Sequence, residues 1–370
     1  MRIAFVSHEG FPIKSGGVTL LNDLTKEFQK NKLGIMTYLP KFKHSSDFES
    51  STCKRLRVTR NSVGGITKFE LIKLFVFGTF SLRQKIKKDK ITHVYSIFAF
   101  PSGFLVYLAT FGLSVKKIVI VDAIDLPGVE NSPLRSSRFL RILVRRTLKY
   151  ASQILLIRGL ENEFESFCEY SYISVAAGIS PPSKITFHKS KQEEFVILTI
   201  ARLVKRKNIS LTINILSNLI QKGVPARLVI VGDGPEKSNL QNMAKELGVE
   251  NQIDFKGFIN EDELPELISM SNAYLFTGHN EGISVALVQA LSFGIPAIVA
   301  KNPGNSAVFG ELGESFMLPS DDPLKFAELL NRLYQDRKFL TFAKETSLEL
   351  AKPFFWATAI NSYLPIHFSN

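Results

Sequence analysis

The chain has 370 residues, 45% of them hydrophobic and 22% charged, with 30 Phe and a formal net charge of +12. That length leaves room for two α/β domains with a core each, and the apolar content excludes an intrinsically disordered chain. Its two cysteines, Cys53 and Cys168, have no metal-ligand spacing, which excludes a disulfide framework and points to a reducing, cytoplasmic setting.

Apolar runs alternate with helix-like segments along the whole chain, the pattern of parallel sheets covered by helices on both faces. In the first half, strands are expected near residues 2–7, 34–38, 91–97, 117–121, 153–157 and 172–175. The opening run, Met1 to Ser7, reads as a first strand and is too short for a signal peptide. Residues 94–115 carry no charge, and 22 residues would be long enough to cross a bilayer. Pro101-Ser102-Gly103 interrupts that stretch, so it reads instead as a buried strand feeding a core helix.

The charge is divided unevenly. Residues 1–190 hold 29 Lys and Arg against 14 Asp and Glu, whereas residues 191–370 hold 17 against 20. A basic domain seeks an anionic partner. No nucleic-acid motif is present, so none is expected to bind. The richest stretch is 134–149, where Arg135, Arg138, Arg141, Arg145 and Lys149 recur at helical spacing and Phe139, Ile142 and Leu143 gather on another face. A second lies at 74–90, an apolar run followed by Arg83, Lys85, Lys87, Lys88 and Lys90. Helices of this kind either pack on a core with solvated basic faces or lie on an anionic bilayer. The regional excess favours a peripheral position on the inner face of the cell membrane.

A polar linker rich in Pro and Ser, 181–194, separates an N-terminal domain, 1–180, from a second domain, 195–350, and a closing segment, 351–370. In the second domain a buried strand, Val196 to Ile200, leads into Ala201-Arg202-Leu203-Val204-Lys205-Arg206-Lys207-Asn208. Arg202 and Lys207 offer a fork donor and a point charge to one anion. Next, Leu228-Val229-Ile230-Val231 ends in the turn Gly232-Asp233-Gly234-Pro235, and Ile253-Asp254-Phe255-Lys256-Gly257-Phe258 is a further strand. Then Ala273-Tyr274-Leu275-Phe276 runs into the polar loop Thr277-Gly278-His279-Asn280. Behind it, Glu281-Gly282-Ile283-Ser284-Val285-Ala286-Leu287-Val288-Gln289 reads as a helix that Gly294 and Pro296 end. A helix N-terminus there suits an anion such as phosphate, while Glu281 would repel phosphate and instead accept hydrogen bonds from hydroxyls. Gln289, eight residues on, would stand about 12 Å further along a helix and reach the other end of an elongated ligand.

These four elements, in this order, resemble those of the retaining nucleotide-sugar glycosyltransferases of family 4 (group 1), which have the GT-B fold: two Rossmann-like domains whose parallel sheets face across a cleft. The resemblance implies that Glu281 contacts donor-sugar hydroxyls and that Gln289, where the family has Glu, meets the ribose. It implies that Arg202 and Lys207 neutralise the diphosphate, that Gly232, Gly234, Phe258, His279, Gly282, Ile283 and Ser284 border the donor, and that 351–370 returns to the first domain. Ser15-Gly16-Gly17-Val18 resembles the family's glycine loop, whose N–H groups approach the donor phosphate. The segment Val121-Asp122-Ala123-Ile124-Asp125 puts Asp122 where many relatives have a catalytic His. Asp122 then either accepts a hydrogen bond from sugar or incoming hydroxyl, or only caps the strand end. His279 is either a donor contact or a structural loop residue.

The implied activity is transfer of a sugar, with retention, from a nucleoside-diphosphate sugar (UDP-sugar favoured) to a hydroxyl of a lipid-linked or polysaccharide acceptor in bacterial cell-surface glycan synthesis. No metal or other cofactor is expected, because no D-x-D element with strand flanks occurs; Asp321-Asp322 reads as a helix start. The departures at Gln289, Asp122 and Ala177-Gly178 give an alternative, subordinate reading: a non-catalytic homologue acting as a binding subunit.

Overall fold

A computed structural model describes residues 1–9, 16–42, 52–60, 66–129, 132–176, 178–182, 194–260, 262–279, 282–319 and 322–364. Several expectations lie outside the described residues: those on Ser15, Ala177, Asn280, Glu281 and Asp321, and most of the linker. The chain divides into two units, one of Met1–Gly178 with the tail from Ala359 on, the other Ile179–Thr358.

The first unit is built on seven parallel strands: β1 Arg2–Val6, β2 Gly34–Phe42, β3 Cys53–Arg60, β4 His93–Ile97, β5 Lys116–Val121, β6 Gln153–Ile157 and β7 Ile173–Val175, in the order β3-β2-β1-β4-β5-β6-β7. Strands buried on both faces need continuous apolar runs, and Ile3 to Val6 and Ile118 to Val121 are all buried. β3 was not among the expected strands, because Cys-Lys-Arg-Leu-Arg-Val-Thr-Arg reads as a basic stretch. Its alternation decides otherwise: Leu56 and Val58 enter the core with Val94, Leu105 and Val106, while Arg57 and Thr59 point outward. A charged edge strand also discourages edge-to-edge pairing with another chain.

Residues 94–115 divide into β4, a wide turn over Ala99–Gly103 and the helix Phe104–Thr110. Among the described residues no helix is long and apolar enough to cross a membrane. The basic stretch expected over 134–149 becomes helical only at Arg138, because Ser137 caps the helix by accepting the Leu140 N–H, and Leu134 lies buried in the turn before it.

The second unit carries six parallel strands: β8 Phe195–Ile200, β9 Ala226–Val231, β10 Ile253–Gly257, β11 Ala273–Phe276, β12 Ala297–Ala300 and β13 Met317–Leu318, in the order β10-β9-β8-β11-β12-β13. It also takes residues 179–182 and 351–358, beyond the expected bounds of 195–350. Backbone pairing is the reason: Ile179 donates to the Phe354 carbonyl at 2.7 Å and accepts from Trp356 N–H at 3.0 Å. The helix Trp356–Tyr363 then ends in the first unit, where the Tyr363 hydroxyl donates to Ala176 O at 2.9 Å and Tyr95 donates to Tyr363 O at 2.8 Å. Asp322 caps the helix Pro323–Gln335, as its sequence suggested.

Candidate functional site

In the second unit the chain leaves β8 towards β9 and β10, then returns on the other side of β8 at β11. This reversal is a topological switch point, and ligands of open parallel sheets bind outside the carboxyl ends of the strands there. The loops that follow β8 and β11 are therefore the place to look, and hydrogen bonds bind them together. Thr277, just past β11, donates its hydroxyl to Asn208 O at 2.9 Å, and its oxygen also lies 2.9 Å from the Thr212 hydroxyl. His279 N–H donates to Arg206 O at 3.0 Å. The Lys207 ammonium lies 5.0 Å from the centre of the Phe276 ring, so the aromatic end of β11 supports the cation. Asn302 donates to Gly278 O at 2.7 Å and fixes the loop from the β12 side.

Arg202 sits between two buried neighbours, Ala201 and Leu203, and is itself exposed. What holds this loop is the Gly232–Pro235 turn after β9. Gly232 has φ +130°, and a Cβ there would lie 2.0 Å from Ala201 O; one at Gly234 would lie 2.3 Å from Leu203 O. Both glycines are thus required by backbone packing. Leu203 N–H donates to Asp233 O at 3.0 Å, and Glu236 N–H donates to Leu203 O at 3.1 Å. Gly232 N–H donates in turn to Gly257 O at 2.8 Å, which brings the backbone just before the exposed Phe258 to the same turn.

The helix behind the β11 loop is shorter than the sequence suggested. It runs Val285–Ser292, with Ser284 extended at φ −79°, ψ 115° and its hydroxyl accepting the Leu287 N–H at 3.4 Å. Gly282, Ile283 and Ser284 are loop residues, so Gln289 stands in the second turn of the helix. The expected 12 Å helical rise between Glu281 and Gln289 therefore does not apply, because the helix begins four residues after Glu281. Glu281 itself lies outside the described residues.

The structure accordingly brings Arg202, Lys207, Gly232, Gly234, Phe258, His279, Gly282, Ile283 and Ser284 to loops at one carboxyl edge, with Gln289 just behind. Two cations, a capped helix N-terminus and an exposed ring face are the groups that an anion attached to a flat base needs.

Asp122, Gly16 and Gly17 belong to the first unit: the glycines follow β1, beside the switch point between β1 and β4, and Asp122 follows β5, the next strand after β4. Asp122 caps the turn Ala123–Asp125, its carboxylate accepting the Ala123 N–H at 2.7 Å. Gly16 and Gly17 open the helix Gly16–Lys30, and a Cβ on Gly17 would meet the Phe98 ring at 2.6 Å. Phe98 ends β4 at φ 70°, a conformation bulky residues rarely adopt.

Sequence reasoning gave little weight to the buried polar groups around it. Asp125 is 1% exposed and accepts N–H groups from Ala99 at 2.8 Å and Phe100 at 3.0 Å, so it clamps the strained turn after Phe98. Burial pushes its carboxyl up to about 7, against the pull of those N–H donors. His8 ends β1 with its Nδ1 2.8 Å from Ser102 Oγ, and Arg60 donates to the His8 carbonyl at 2.5 Å. Burial, then the Arg60 charge, holds the His8 imidazole down at about 3, so the ring is neutral at physiological pH. Periodicity in the sequence marks strand ends, but only tertiary packing shows which polar side chain is enclosed.

Solved structures share this architecture over nearly the whole chain. Sucrose-phosphate synthase from Thermosynechococcus elongatus superposes with TM-score 0.79 at 15% identity, covering 97% of this chain and 96% of its own. Anabaena Alr3699/HepE, solved in complex with UDP and glucose, gives 0.72 at 16% identity over 97% and 96%. These likenesses show the fold, which is GT-B. Among curated relatives, the gpi3 subunit of phosphatidylinositol N-acetylglucosaminyltransferase from Schizosaccharomyces pombe is 27% identical over 156 residues, 41% of this chain and 34% of that protein. The chain thus spans only about a third of the length of that relative. Residues 182–347, which contain every candidate residue of the second unit, match the model of the family described as glycosyl transferases group 1.

Proposed function

We propose that the protein is a retaining glycosyltransferase that moves a sugar from a nucleoside-diphosphate sugar, UDP-sugar favoured, to a hydroxyl of a lipid-linked or polysaccharide acceptor in bacterial cell-surface glycan synthesis. The observation that carries this reading is the gathering of Arg202, Lys207, His279 and the Ser284-capped helix at one switch point, inside the segment that matches the family model. The UDP and glucose bound by HepE and the lipid acceptor named for the gpi3 relative support the choice of donor and acceptor class.

In this reading Arg202 and Lys207 face the diphosphate and stabilise the negative charge that grows on it as the bond from the anomeric carbon to the phosphate oxygen breaks. The acceptor oxygen forms the new bond on the same face, and its proton passes to the departing diphosphate. Glu281 holds donor-sugar hydroxyls, Gln289 the ribose, and Phe258 borders the base. His279, Gly232, Gly234, Gly282 and Ile283 shape the loops around the donor. In the first unit, Asp122 is the proposed acceptor for a substrate hydroxyl, and Gly16 and Gly17 the proposed backbone contacts for a phosphate. Two protein cations offset the two diphosphate charges, so the reaction runs without a metal. The site of action is the cytoplasmic side of the membrane.

The test is turnover of a panel of UDP- and GDP-sugars by the purified protein in the presence of chelator. Release of nucleoside diphosphate that disappears in Glu281→Ala, with the melting temperature unchanged, supports the reading. Donor binding without turnover in the native protein, with every acceptor class supplied, would show a non-catalytic binding homologue instead.

A further inference from the structure

The first unit displays an apolar surface that its own core does not use. Residues 68–88 form one continuous helical run with a wider turn at Leu74–Gly78. Its inner face, Leu74, Leu82 and Ile86, packs into the core with Leu105, Val106 and Ala109. Its outer face carries Phe69, Ile72, Val76, Phe77 and Phe80, of which Phe69 is 65% and Phe80 68% exposed. A solvated helix would carry polar residues at those positions. Here the twelve residues Phe69 to Phe80, about 16 Å of helix at 1.5 Å per residue, expose a row of apolar side chains.

The surface continues. Phe75 meets Phe104 edge-on at 5.1 Å, Phe104 meets Tyr107 at 5.8 Å, and Tyr107 meets Tyr150 at 5.2 Å. Tyr150 closes the helix Arg138–Lys149, whose exposed residues include Phe139 at 66% and Ile142 at 58%. This corrects the expectation that the apolar residues of that helix gather away from its basic ones: Arg138, Phe139, Ile142, Arg145, Arg146 and Lys149 are all exposed, and Val144 and Leu148 face the core instead.

Charge identifies what covers this face. The helix Arg138–Lys149 has five basic residues and no acidic one. The run 68–88 has six basic residues and one acidic residue, Glu70, which is buried and turned back to cap its own helix start at Thr67. The Lys73 ammonium lies 4.3 Å from the Phe69 ring centre, so cation and ring present together. Exposed rings among cations with no exposed acid match a boundary where apolar tails lie beneath anionic headgroups. A soluble protein partner of mixed charge would find no cation acceptor here.

We infer that this face is a docking surface for an anionic lipid bilayer, with the Phe69–Phe80 row inserted among the acyl chains and Lys68, Lys73, Arg138, Arg146 and Lys149 on the headgroups. Arg83, Arg141 and Arg145 instead donate to backbone carbonyls of the protein itself. The inference rests on the surface of the first unit and stands whether or not the protein transfers sugar.

Co-flotation of the full chain with vesicles tests it. Binding is expected to vesicles containing phosphatidylglycerol, to weaken on adding salt, and to be at least tenfold weaker with pure phosphatidylcholine. Phe77→Asp with Phe80→Asp lowers the partition constant at least tenfold, since each buried phenyl ring contributes about that much. Arg138→Gln with Arg146→Gln and Lys149→Gln lowers it about fivefold per charge removed. Because a variant can fail through misfolding, Phe80→Trp supplies a gain of signal: its emission shifts to the blue on adding anionic vesicles, while the buried Trp356 does not change. Equal binding to neutral and anionic vesicles, no binding at all, or a wild-type dimer that Phe77→Asp with Phe80→Asp converts to monomer, would overturn the proposal.

Discussion

The two sheets present their carboxyl edges in opposite electrical states. At the β8/β11 edge Arg202 is exposed and Lys207 half-buried, and the loops beneath them are held by backbone hydrogen bonds and by glycines with no room for a side chain. At the carboxyl edge of the first sheet the polar side chains at or after the ends of β1, β3 and β5 are enclosed: His8 is 7%, Arg60 4% and Asp125 1% exposed. Enclosure leaves His8 neutral and raises the Asp125 carboxyl to about 7. One architecture thus serves two purposes. The second unit displays its cations on braced loops, and the first encloses polar groups that hold a strained strand end in place.

The largest expected effect breaks the displaying edge. Arg202→Ala lowers kcat/KM for the nucleotide sugar about a hundredfold to a thousandfold, the loss seen when one donor to a developing anion is removed. Steady-state kinetics checks it, and the melting temperature is expected not to move, because the side chain is exposed. Gly232→Ala attacks the same edge through its support. A Cβ 2.0 Å from Ala201 O at φ +130° forces the two loops apart and costs about 3 kcal/mol or more of stability in urea unfolding.

The enclosed edge answers differently. Asp125→Ala leaves the buried N–H groups of Ala99 and Phe100 without an acceptor and costs about 3 kcal/mol by chemical denaturation. The pH dependence sharpens the contrast further. The His8 pKa is lowered in the folded state, so the unfolded chain binds the proton first, and this group's contribution is lost as pH falls below about 6.5. Asp125 has the opposite sign: its raised pKa favours the protonated native state, so its term grows as pH falls from about 7. The two offset each other in the native protein, and a single variant reveals one of them. His8→Gln is expected to gain about 2 kcal/mol relative to wild type between pH 6.5 and pH 5, read as a pH-dependent difference in unfolding free energy.

The smallest effect is at Gln289. Restoring a carboxylate with Gln289→Glu gives a ribose hydroxyl a charged acceptor and tightens donor binding about fivefold by titration calorimetry, about 1 kcal/mol.

The fold was legible because most of its described strands are apolar runs bounded by turn residues; the basic edge strand β3 escaped because its alternation hides among four Lys and Arg, and β13, Met317–Leu318, because two residues carry no period. Arg202 and Lys207 were singled out by the resemblance of 201–208 to a family element, because a basic turn after a buried strand is by itself ordinary. That Gly232 and Gly234 are forced by contact with Ala201 and Leu203, thirty residues away in the chain, appears only in three dimensions. The helix of 281–289 was drawn too long because Gly282 to Ser284 sit beside good helix formers, and a capping Ser is neutral in a periodicity count. The enclosed pair of His8 and Asp125 has no periodic signature at all. The outward Phe69–Phe80 row was hidden for the opposite reason, since apolar residues at helical spacing ordinarily face a core.

The central claim is that the β8/β11 edge holds a nucleoside diphosphate through Arg202 and Lys207. Calorimetric titration of UDP and of GDP, in chelator, into the native protein and into Arg202→Ala with Lys207→Ala tests it most directly. The account predicts that one of the two nucleotides binds the native protein and that the double variant binds it about a hundredfold or more weakly, with two charge-assisted contacts gone. Equal affinity in both proteins, or no binding of either nucleotide to the native one, would contradict it.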